Sequence, residues 1–300
     1  MALPTETVYG LAGDALNPAA LARIFEVKQR PYFDPLIVHI ADRIWVEKLC
    51  TDIPDQARVL MDRFWPGPLT LVLPKSNLVP DLATSGLPNV ALRMPSHPVA
   101  LALLREVGSP LAAPSANLFG ALSPTTARHV SDAFSQGIDC ILDGGPCSVG
   151  VESTVLGFGE NGNPFLLRPG GLSKEEIESV LKMKISAAPI SDVPQSPGGL
   201  SSHYAPRTPL FFFEAGKSPN ASARSGLLWF GPEPVPSGFT AVENISATGN
   251  LREAAMNLFA ALHKLDSMGL ERILAQIVPE SGLGRAINDR LRRGCAPLGQ

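Results

Sequence analysis

Short apolar runs alternate with helical patterns through most of this 300-residue chain, and that alternation limits the fold more than any other feature. Pro35–Ile40 is short and rich in β-branched residues, which is typical of a buried strand. It follows a helical pattern that begins at Asn17-Pro18, an N-cap with proline after it, and ends before Arg30-Pro31. Strands that alternate with helices build a domain around a twisted sheet. The sequence therefore predicts an α/β fold.

The same two patterns recur along the first part of the chain. Further predicted strands are the apolar runs Leu69–Leu73, Val90–Met94, Pro110–Ala113, Cys140–Leu142, Thr154–Phe158 and Phe165–Leu167. Further predicted helices are Pro54–Phe64, Pro98–Val107, Pro124–Phe134 with Ser123 as its N-cap, and a helix opened by the capping box Ser173–Glu176. Polar side chains at the ends of such strands are candidates for a ligand site, because open α/β sheets bind ligands there.

The composition changes near residue 186. Ser186–Gly199 is rich in Ser, Ala, Pro and Gly with little apolar periodicity, which indicates a linker. The linker continues to Pro206 and carries His203 and Tyr204, side chains that a passive spacer does not need. The strands and helices predicted beyond it are Leu210–Phe213, Gly226–Phe230, a helix after Asn250, Arg272–Val278 and Gly284–Arg293. We predict a first domain over residues 1–186, a linker that acts as a lid over 187–207, and a second α/β domain over 208–300.

Charge and cysteine content exclude several classes of protein. Lys+Arg 25 against Asp+Glu 28 gives a net charge of −3, which disfavours a surface coated with basic patches but allows one local basic site. The four cysteines form no C-x-x-C pair, so neither a zinc site nor a disulfide framework is predicted. No apolar run approaches the roughly 18 residues of a membrane span, and the N-terminus lacks the pattern of a signal peptide. We expect a soluble, cytoplasmic protein without a metal centre.

Four cationic side chains stand at the ends of predicted elements. Lys28 and Arg30 end the first helix, and Arg93 and Arg168 each end a strand. Together they could neutralise a polyphosphate during phosphoryl transfer, with Mg²⁺ expected to share that task. Taken singly, Lys28 and Arg30 are explained equally well by the helix dipole, and each arginine by a surface ion pair.

Small polar residues accompany these cations. Ser115 and Asn117 follow the predicted strand Pro110–Ala113, and Ser153 comes just before another strand. Their hydroxyl and amide groups suit phosphate oxygens or a ribose. Neither a P-loop nor a Rossmann glycine motif occurs. Composition, periodicity and spacing predict an anion-binding α/β protein and go no further.

Two other features have ordinary explanations. His39 lies in an apolar strand run, where a histidine bonded within the core is the commoner role. Arg285, Arg290, Arg292 and Arg293 make the C-terminal region basic. That pattern predicts a solvated helix face, with contact to RNA phosphates as the weaker alternative.

Several motifs, in order along the chain, resemble those of one known family. They are Pro4–Leu11, Lys28–Pro31 followed by Pro35–His39, Ala91–Pro95, Ala113–Asn117, Leu167–Gly171, the linker run Ser196–Pro206 and the closing run Gly282–Leu291. They cover nearly the whole chain and resemble the threonylcarbamoyl-AMP synthases, in their longer two-domain branch. The resemblance implies a YrdC-like twisted-sheet catalytic domain and a smaller Rossmann-like α/β C-terminal domain.

The resemblance also implies a reaction, that of a nucleotidyltransferase. L-threonine and bicarbonate would combine as an N-carboxy species, which attacks the α-phosphate of ATP. Pyrophosphate would leave, and threonylcarbamoyl-AMP would be the product. A downstream transferase complex would then pass the threonylcarbamoyl group to an adenosine of tRNA, and the enzyme itself would make at most a weak tRNA contact.

Residue roles follow from the positions of the motifs in the resemblance. Lys28 and Arg30 would be catalytic, because they would neutralise the nucleotide phosphates. The residues implied to bind threonine are Thr7, His39, Arg93, Ala113 and Ser153. The residues implied to bind ATP are Lys28, Arg30, Asp34, Asn89, Ser115, Asn117, Ser123, Arg168, His203 and Tyr204. Arg93 suits a carboxylate through its bidentate fork, and His39 becomes a substrate contact rather than a core residue.

Two alternatives remain open at this stage. An RNA-binding module without turnover is disfavoured as the sole function by the net charge of −3. A carbamoyl-transfer enzyme of hydrogenase maturation has a YrdC-like module but would also carry C-x-x-C zinc motifs, which this sequence lacks. Members of the family have a longer segment ahead of the first motif, so we expect either a late start or a shortened first strand.

Overall fold

The computed structural model describes residues 1–134, 136–188, 204–213 and 224–295, and the predicted α/β class is confirmed. The helices of this part of the chain are α1 (Pro18–Lys28), α2 (Ile44–Leu49), α3 (Asp55–Phe64), α4 (Asp81–Thr84), α5 (Pro98–Val107), α6 (Ala127–Ala133), α7 (Lys174–Leu181), α8 (Leu251–Asp266) and α9 (Gly284–Gly294). The strands are β1 (Ala2–Leu3), β2 (Gly10–Leu11), β3 (Gly13–Asp14), β4 (Ile37–His39), β5 (Leu69–Pro74), β6 (Asn89–Arg93), β7 (Leu111–Ala112), β8 (Thr154–Phe158), β9 (Pro164–Arg168), β10 (Ser186–Ala187), β11 (Leu210–Phe213), β12 (Ser225–Trp229), β13 (Ala241–Asn244) and β14 (Arg272–Gln276).

The larger sheet places two of the predicted site residues side by side. Over the described residues its strand order is β10-β9-β8-β5-β6-β4-β7-β3, with parallel and antiparallel neighbours mixed. Strand β4 pairs parallel with β6, so that His39 lies opposite Arg93 and Ile37 opposite Ala91. Because side chains alternate along a strand, these four residues share one face of the sheet.

The second sheet is smaller and parallel. Within the described residues its order is β11-β14-β12-β13, and all three pairings are parallel. One face packs on α8 and α9 through a core that includes Leu228, Ile273, Leu258 and Ile287. A parallel sheet covered by helices is the architecture expected of a Rossmann-like unit.

Local sequence signals explain where several helices begin. The Asn17 side chain accepts a hydrogen bond from Ala19 N at 2.9 Å, and Pro18 occupies the first helical position of α1. The Asn250 side chain caps α8 in the same way. At α7 the predicted capping box is present, since Ser173 and Glu176 each accept from the other's backbone N–H.

Two of the predicted elements are wrong. Helix α6 begins at Ala127 with Thr126 as its N-cap rather than at Pro124, because the Ser123 hydroxyl donates to Glu152 instead of capping the helix. Cys140–Leu142 forms no strand of its own. It pairs only with Ala2, through two backbone hydrogen bonds of 2.8 and 3.0 Å, and β1 has two residues.

The region predicted as linker begins with ordered structure. Ser186–Ala187 forms β10, which pairs parallel with β9 and therefore extends the larger sheet across the predicted boundary at residue 186. Residues 189–203 of the predicted lid, His203 among them, lie outside the described residues. The chain is described again from Tyr204, whose neighbour Ala205 donates its N–H to the carbonyl of Gly120 at 2.8 Å.

Helices α6 and α8, one from each domain, contact each other. The His129 ring of α6 stacks on the His263 ring of α8 with centroids 4.0 Å apart, and Nε2 of His263 lies 3.1 Å from the Ser123 carbonyl. At the other end of α8, Arg252 pairs with Glu176 of α7 at 2.9 Å on the surface. Among the helices described, none combines the length and the hydropathy needed to cross a membrane.

Candidate active site

A cavity opens on the face of the larger sheet that carries His39 and Arg93. The predicted site residues that line it are Thr7, Arg30, His39, Arg93, Ala113, Ser115, Ser153, Arg168 and Tyr204. They belong to separate motifs that are distant in the sequence. The fold therefore gathers three guanidinium groups and several small hydroxyl groups around one space.

Arg93 is held by protein groups on three sides. Its Nη2 lies 2.7 Å from Oε1 of Glu6, and both side chains are buried. Its Nη1 donates to Thr7 Oγ1 at 2.8 Å, and its Nε donates to the Gly67 carbonyl at 3.3 Å. A guanidinium has five N–H groups, so donors remain for a further anion. Arg93 can hold a ligand carboxylate while its own position stays fixed.

The imidazole of His39 is buried beside Arg93. Burial, together with the positive charge of Arg93, lowers the pKa of His39 to about 3. The ring is therefore neutral at physiological pH. Nδ1 of this ring has no hydrogen-bond partner among the residues that the structure describes, so it is available to a ligand without a second positive charge next to the guanidinium.

Lys28 does not line the cavity but holds one of its walls. Its Nζ donates to the Ser115 carbonyl at 2.5 Å and to the Asn117 carbonyl at 2.6 Å, and it lies 3.2 Å from Asn117 Oδ1. Burial and the neighbouring Arg30 lower the pKa of Lys28 well below its usual range. The side chain thus fixes the loop after β7, from which Ser115 faces the cavity.

Arg30 lines the cavity and is paired with Asp34. Its Nη2 lies 2.8 Å from Asp34 Oδ2, and the same guanidinium donates to the carbonyls of Asp34 and Pro35 at 3.0 and 2.9 Å. Both side chains are buried. The carboxylate of Asp34 is therefore balanced by a cation, and its negative charge does not stand alone beside a bound anion.

Ser153 connects the cavity to a second cation. Arg168 Nη2 donates to the Ser153 carbonyl at 2.9 Å and lies 3.3 Å from its hydroxyl. The hydroxyl of Thr70 lies 2.7 Å from that of Ser153. These contacts orient Ser153, the residue just before β8, and bring Arg168 to the same wall.

The wall next to Ser153 is completed by the second sheet's unit. Arg290 of α9 is fully buried, and its Nε donates to Glu152 Oε2 at 2.6 Å. Glu152 lines the cavity and accepts a hydrogen bond from Ser123 as well. Burial alone would raise the pKa of Glu152, but the guanidinium groups of Arg290 and Arg168 lower it to about 2. Glu152 is therefore a carboxylate.

Tyr204 lies against the same arginine. The guanidinium of Arg290 is 5.0 Å from the centre of the Tyr204 ring, within the range of a cation–π contact. The ring also packs near Phe259 of α8, at a centroid distance of 5.9 Å. The residue has φ 65°, a left-handed conformation that is strained for a tyrosine. This packing fixes the end of the linker in the cavity wall.

Family models match both parts of the chain. One, Sua5_yciO_yrdC, described as Telomere recombination, matches residues 1–170. Another, Sua5_C, described as Threonylcarbamoyl-AMP synthase, C-terminal domain, matches residues 172–296. This chain belongs to the two-domain Sua5 family. The resemblance inferred from its motifs is confirmed, as is the pairing of a YrdC-like domain with a C-terminal α/β domain.

Individual members of the Sua5 family align over almost the whole chain. A threonylcarbamoyl-AMP synthase of Pyrococcus abyssi is 45% identical over 304 residues, which span 98% of this chain and 89% of that protein. One of Bacillus subtilis is 43% identical over 306 residues, spanning 98% and 88%. The crystal structure of P. abyssi Sua5 complexed with L-threonine superposes with a TM-score of 0.90 at 43% identity, covering 98% of this chain and 89% of that one.

Some predicted residues of this Sua5-family chain lie outside the cavity lining. Lys28, Asp34 and Ser123 contact residues that line it through the bonds described above, and Asn117 Oδ1 accepts a hydrogen bond from the Ser115 hydroxyl at 2.6 Å. Asn89 is exposed at the start of β6 and lines a separate groove with Val72 and Phe165. It shares a face with Arg93 but lies about 13 Å along the strand from it, so only an elongated ligand would reach both.

Several residues that contact this site were not predicted from the sequence. The prediction that Arg290 belongs to a solvated helix face is wrong, because it is buried on Glu152. Glu6, Glu152 and Thr70 were not singled out either, although each contacts a predicted site residue. A signal existed for Glu6, which sits between the two threonines of the first motif, and for Glu152, which precedes Ser153.

Proposed function

We propose that this chain is a threonylcarbamoyl-AMP synthase, which makes threonylcarbamoyl-AMP and pyrophosphate from L-threonine, bicarbonate and ATP. The observation that carries the proposal is the convergence of Arg30, Arg93 and Arg168 on one cavity. A substrate set with one carboxylate, one bicarbonate and a triphosphate requires such a concentration of positive charge. The product would then supply a transferase that modifies an adenosine of tRNA.

Each end of the cavity has a part in the proposed reaction. Arg93, with Thr7 and His39, takes threonine, because its remaining N–H groups suit a carboxylate. Arg30 and Arg168 neutralise phosphate charge that develops as the N-carboxy group attacks the α-phosphate and pyrophosphate leaves. Ser115 and Ser153 offer hydroxyl groups to the same ligands. Tyr204, at the end of the linker, contacts the nucleotide.

Magnesium enters the proposal as part of the ATP substrate. No group of three or more His, Cys, Asp or Glu side chains able to hold a metal occurs among the residues described by the structure. The two carboxylates nearest the phosphate-binding cations, Asp34 and Glu152, are each paired with an arginine. Mg²⁺ commonly reaches such sites on substrate phosphates with most of its waters retained.

RNA binding as the main function gains no support from the basic C-terminal helix. Arg285 pairs with Glu175 at 2.5 Å, Arg293 pairs with Asp289 at 2.9 Å, and Arg292 pairs with Glu280. Their charges are largely neutralised by neighbouring carboxylates. A helix face of this kind does not present the unpaired cations that release counterions from RNA.

Pyrophosphate release tests the proposed function directly. With ATP and bicarbonate present, release should depend on L-threonine, and omission of any one substrate should abolish it. Lys28→Met should lower the rate about 10²-fold, since it frees the loop that carries Ser115 beside the cavity and so misplaces that wall. Lys48→Met is the matched control, because Lys48 also ends a helix but is exposed.

Two outcomes would contradict the proposal. Pyrophosphate release that does not depend on threonine would indicate a nucleotide hydrolase instead of the synthase. Equal rates for Lys28→Met and Lys48→Met would show that Lys28 has no part in the reaction and only stabilises the C-terminal end of its helix.

A further inference from the structure

The first motif contains two threonines whose hydroxyl groups touch. Thr5 Oγ1 lies 2.8 Å from Thr7 Oγ1 and 2.6 Å from the carbonyl oxygen of Val8. Both threonines are buried, and both line the cavity beside Arg93. Thr5 has no ligand role in the proposed function, so its contacts need a separate explanation.

The direction of each hydrogen bond in this group follows from the chemistry of the atoms. A carbonyl oxygen can only accept, so the Thr5 hydroxyl proton points to Val8 O. The backbone N–H groups of Thr7 and Val8 also reach Thr5 Oγ1, at the longer distances of 3.2 and 3.3 Å. Because two hydroxyl oxygens only 2.8 Å apart need a proton between them and the Thr5 proton is on Val8 O, the Thr7 hydroxyl is the donor to Thr5. A guanidinium can only donate, so Thr7 Oγ1 accepts from Arg93 Nη1 at 2.8 Å.

This chain of bonds leaves Thr7 with one unused lone pair and no free proton. A hydroxyl offers one proton and two lone pairs. The proton of Thr7 is committed to Thr5, and one lone pair is committed to Arg93. Toward a ligand in the cavity, Thr7 can act only as a hydrogen-bond acceptor.

We propose that Thr5 is a positioning residue that sets the amino-acid selectivity of the site, by fixing Thr7 as an acceptor for the side-chain hydroxyl of L-threonine. The inference rests on the proposed function and deepens it. A β-hydroxy amino acid whose carboxylate sits on Arg93 brings its hydroxyl to the neighbouring Thr7. The α-amine is the nucleophile and must approach the carbon of bicarbonate, so the hydroxyl is the donor that best fits the acceptor.

The unmodified protein provides the first test. Valine is isosteric with threonine but lacks the hydroxyl, and 2-amino-3-fluorobutanoic acid keeps an electronegative atom but lacks the donor proton. If Thr7 only accepts, kcat/KM for both analogues should fall about 10- to 100-fold below that for threonine, because a buried acceptor is left unpaired. A fluoro analogue used as well as threonine would overturn the proposal.

Variants of Thr5 test whether this residue causes the selectivity. Thr5→Val removes the hydroxyl that receives the Thr7 proton, so Thr7 can then donate to a ligand as well as accept. The ratio of kcat/KM for threonine to that for the fluoro analogue, which can only accept, should therefore shrink about tenfold. Thr5→Ser keeps the hydroxyl and should retain the ratio of the unmodified protein. A purely structural role of Thr5 would lower both kcat/KM values together in Thr5→Val and leave the ratio unchanged, which would refute the proposal.

Failure of the inference can be told apart from failure of the proposed function. If the unmodified protein shows no threonine-dependent pyrophosphate release, the proposed function fails, and this inference fails with it. If release depends on threonine but the analogue ratios do not behave as stated, only the role of Thr5 is lost. Should Thr5→Val not fold, the analogue ratios of the unmodified protein and of Thr5→Ser still test whether Thr7 acts only as an acceptor.

Discussion

Each of the two ends of the candidate cavity contains a buried arginine paired with a glutamate, but the domains that supply the two arginines differ. At the Arg93 end, Arg93 and Glu6 are 2.7 Å apart and both belong to the larger sheet's domain. At the Arg290 end, Arg290 and Glu152 are 2.6 Å apart, and the pair joins α9 of the second domain to the cavity wall. Tyr204 stacks on the second pair and not on the first.

This difference shows what the second domain contributes to the site. The Arg93 end needs no residue from beyond the first domain, since Glu6, Thr7 and Gly67 hold its guanidinium. The Arg290 end is incomplete without α9, because Glu152 would then lie buried without its ion-pair partner. The second domain is therefore a structural part of the cavity wall and not an appended module.

The largest expected effect comes from breaking the pair at the Arg290 end. Arg290→Met should lower the free energy of unfolding by about 3–5 kcal/mol, because it leaves the buried Glu152 carboxylate without its ion-pair partner. Arg292→Met is the matched control on the same helix. Its ion pair with Glu280 is about half exposed, so the change should stay within about 1 kcal/mol. Urea unfolding of both variants measures the difference.

A double variant sharpens this prediction. Arg290→Met combined with Glu152→Gln removes both charges and should recover much of the lost stability, as buried pairs replaced by neutral groups often do. If Arg290→Met and Arg292→Met unfold alike, the ion pair with Glu152 does not stabilise the protein.

The pH dependence of stability should also differ between the parent and a variant at the Arg290 end. The folded pKa of Glu152, about 2, lies below its ordinary value of 4.5. The stabilisation from this group is thus complete above about pH 4.5 and is lost as the pH falls toward 2, amounting to about 3 kcal/mol over that window. Glu152→Gln should show a correspondingly flatter loss of stability between pH 4.5 and 2. Parallel curves for parent and variant would show that Glu152 titrates normally.

A smaller effect is expected from changing the geometry at the Arg93 end while keeping its charge. Arg93→Lys retains a cation but loses the fork that contacts Glu6, Thr7 and a ligand carboxylate together. KM for threonine should rise about 10- to 100-fold, as for the loss of a hydrogen bond to a charged group, while KM for ATP changes little. A change confined to KM for ATP would show that Arg93 does not bind the threonine carboxylate. The assignment of threonine and ATP to the two ends of the cavity would then have to be exchanged.

Much of the fold could be predicted from short-range signals. The caps at Asn17 and Asn250 and the capping box at Ser173 are satisfied by side chains within three residues of the helix start, so local sequence is enough to locate them. The strand ends that carry Arg93 and Arg168 were predicted from apolar runs in the same way. Ser123 is the exception, because its hydroxyl donates to the carboxylate of Glu152, which is distant in the sequence, and does not cap the helix.

The sequence by itself determined the α/β class, the order of the motifs and most of the side chains around the cavity, because periodicity and capping act over a few neighbouring residues. Only the tertiary structure decided which charges are buried together. Arg290 and Arg292 look alike in the sequence, yet one is enclosed on Glu152, 138 positions away, and the other remains on the surface. Burial and pairing depend on which elements pack against each other, and no local pattern records that.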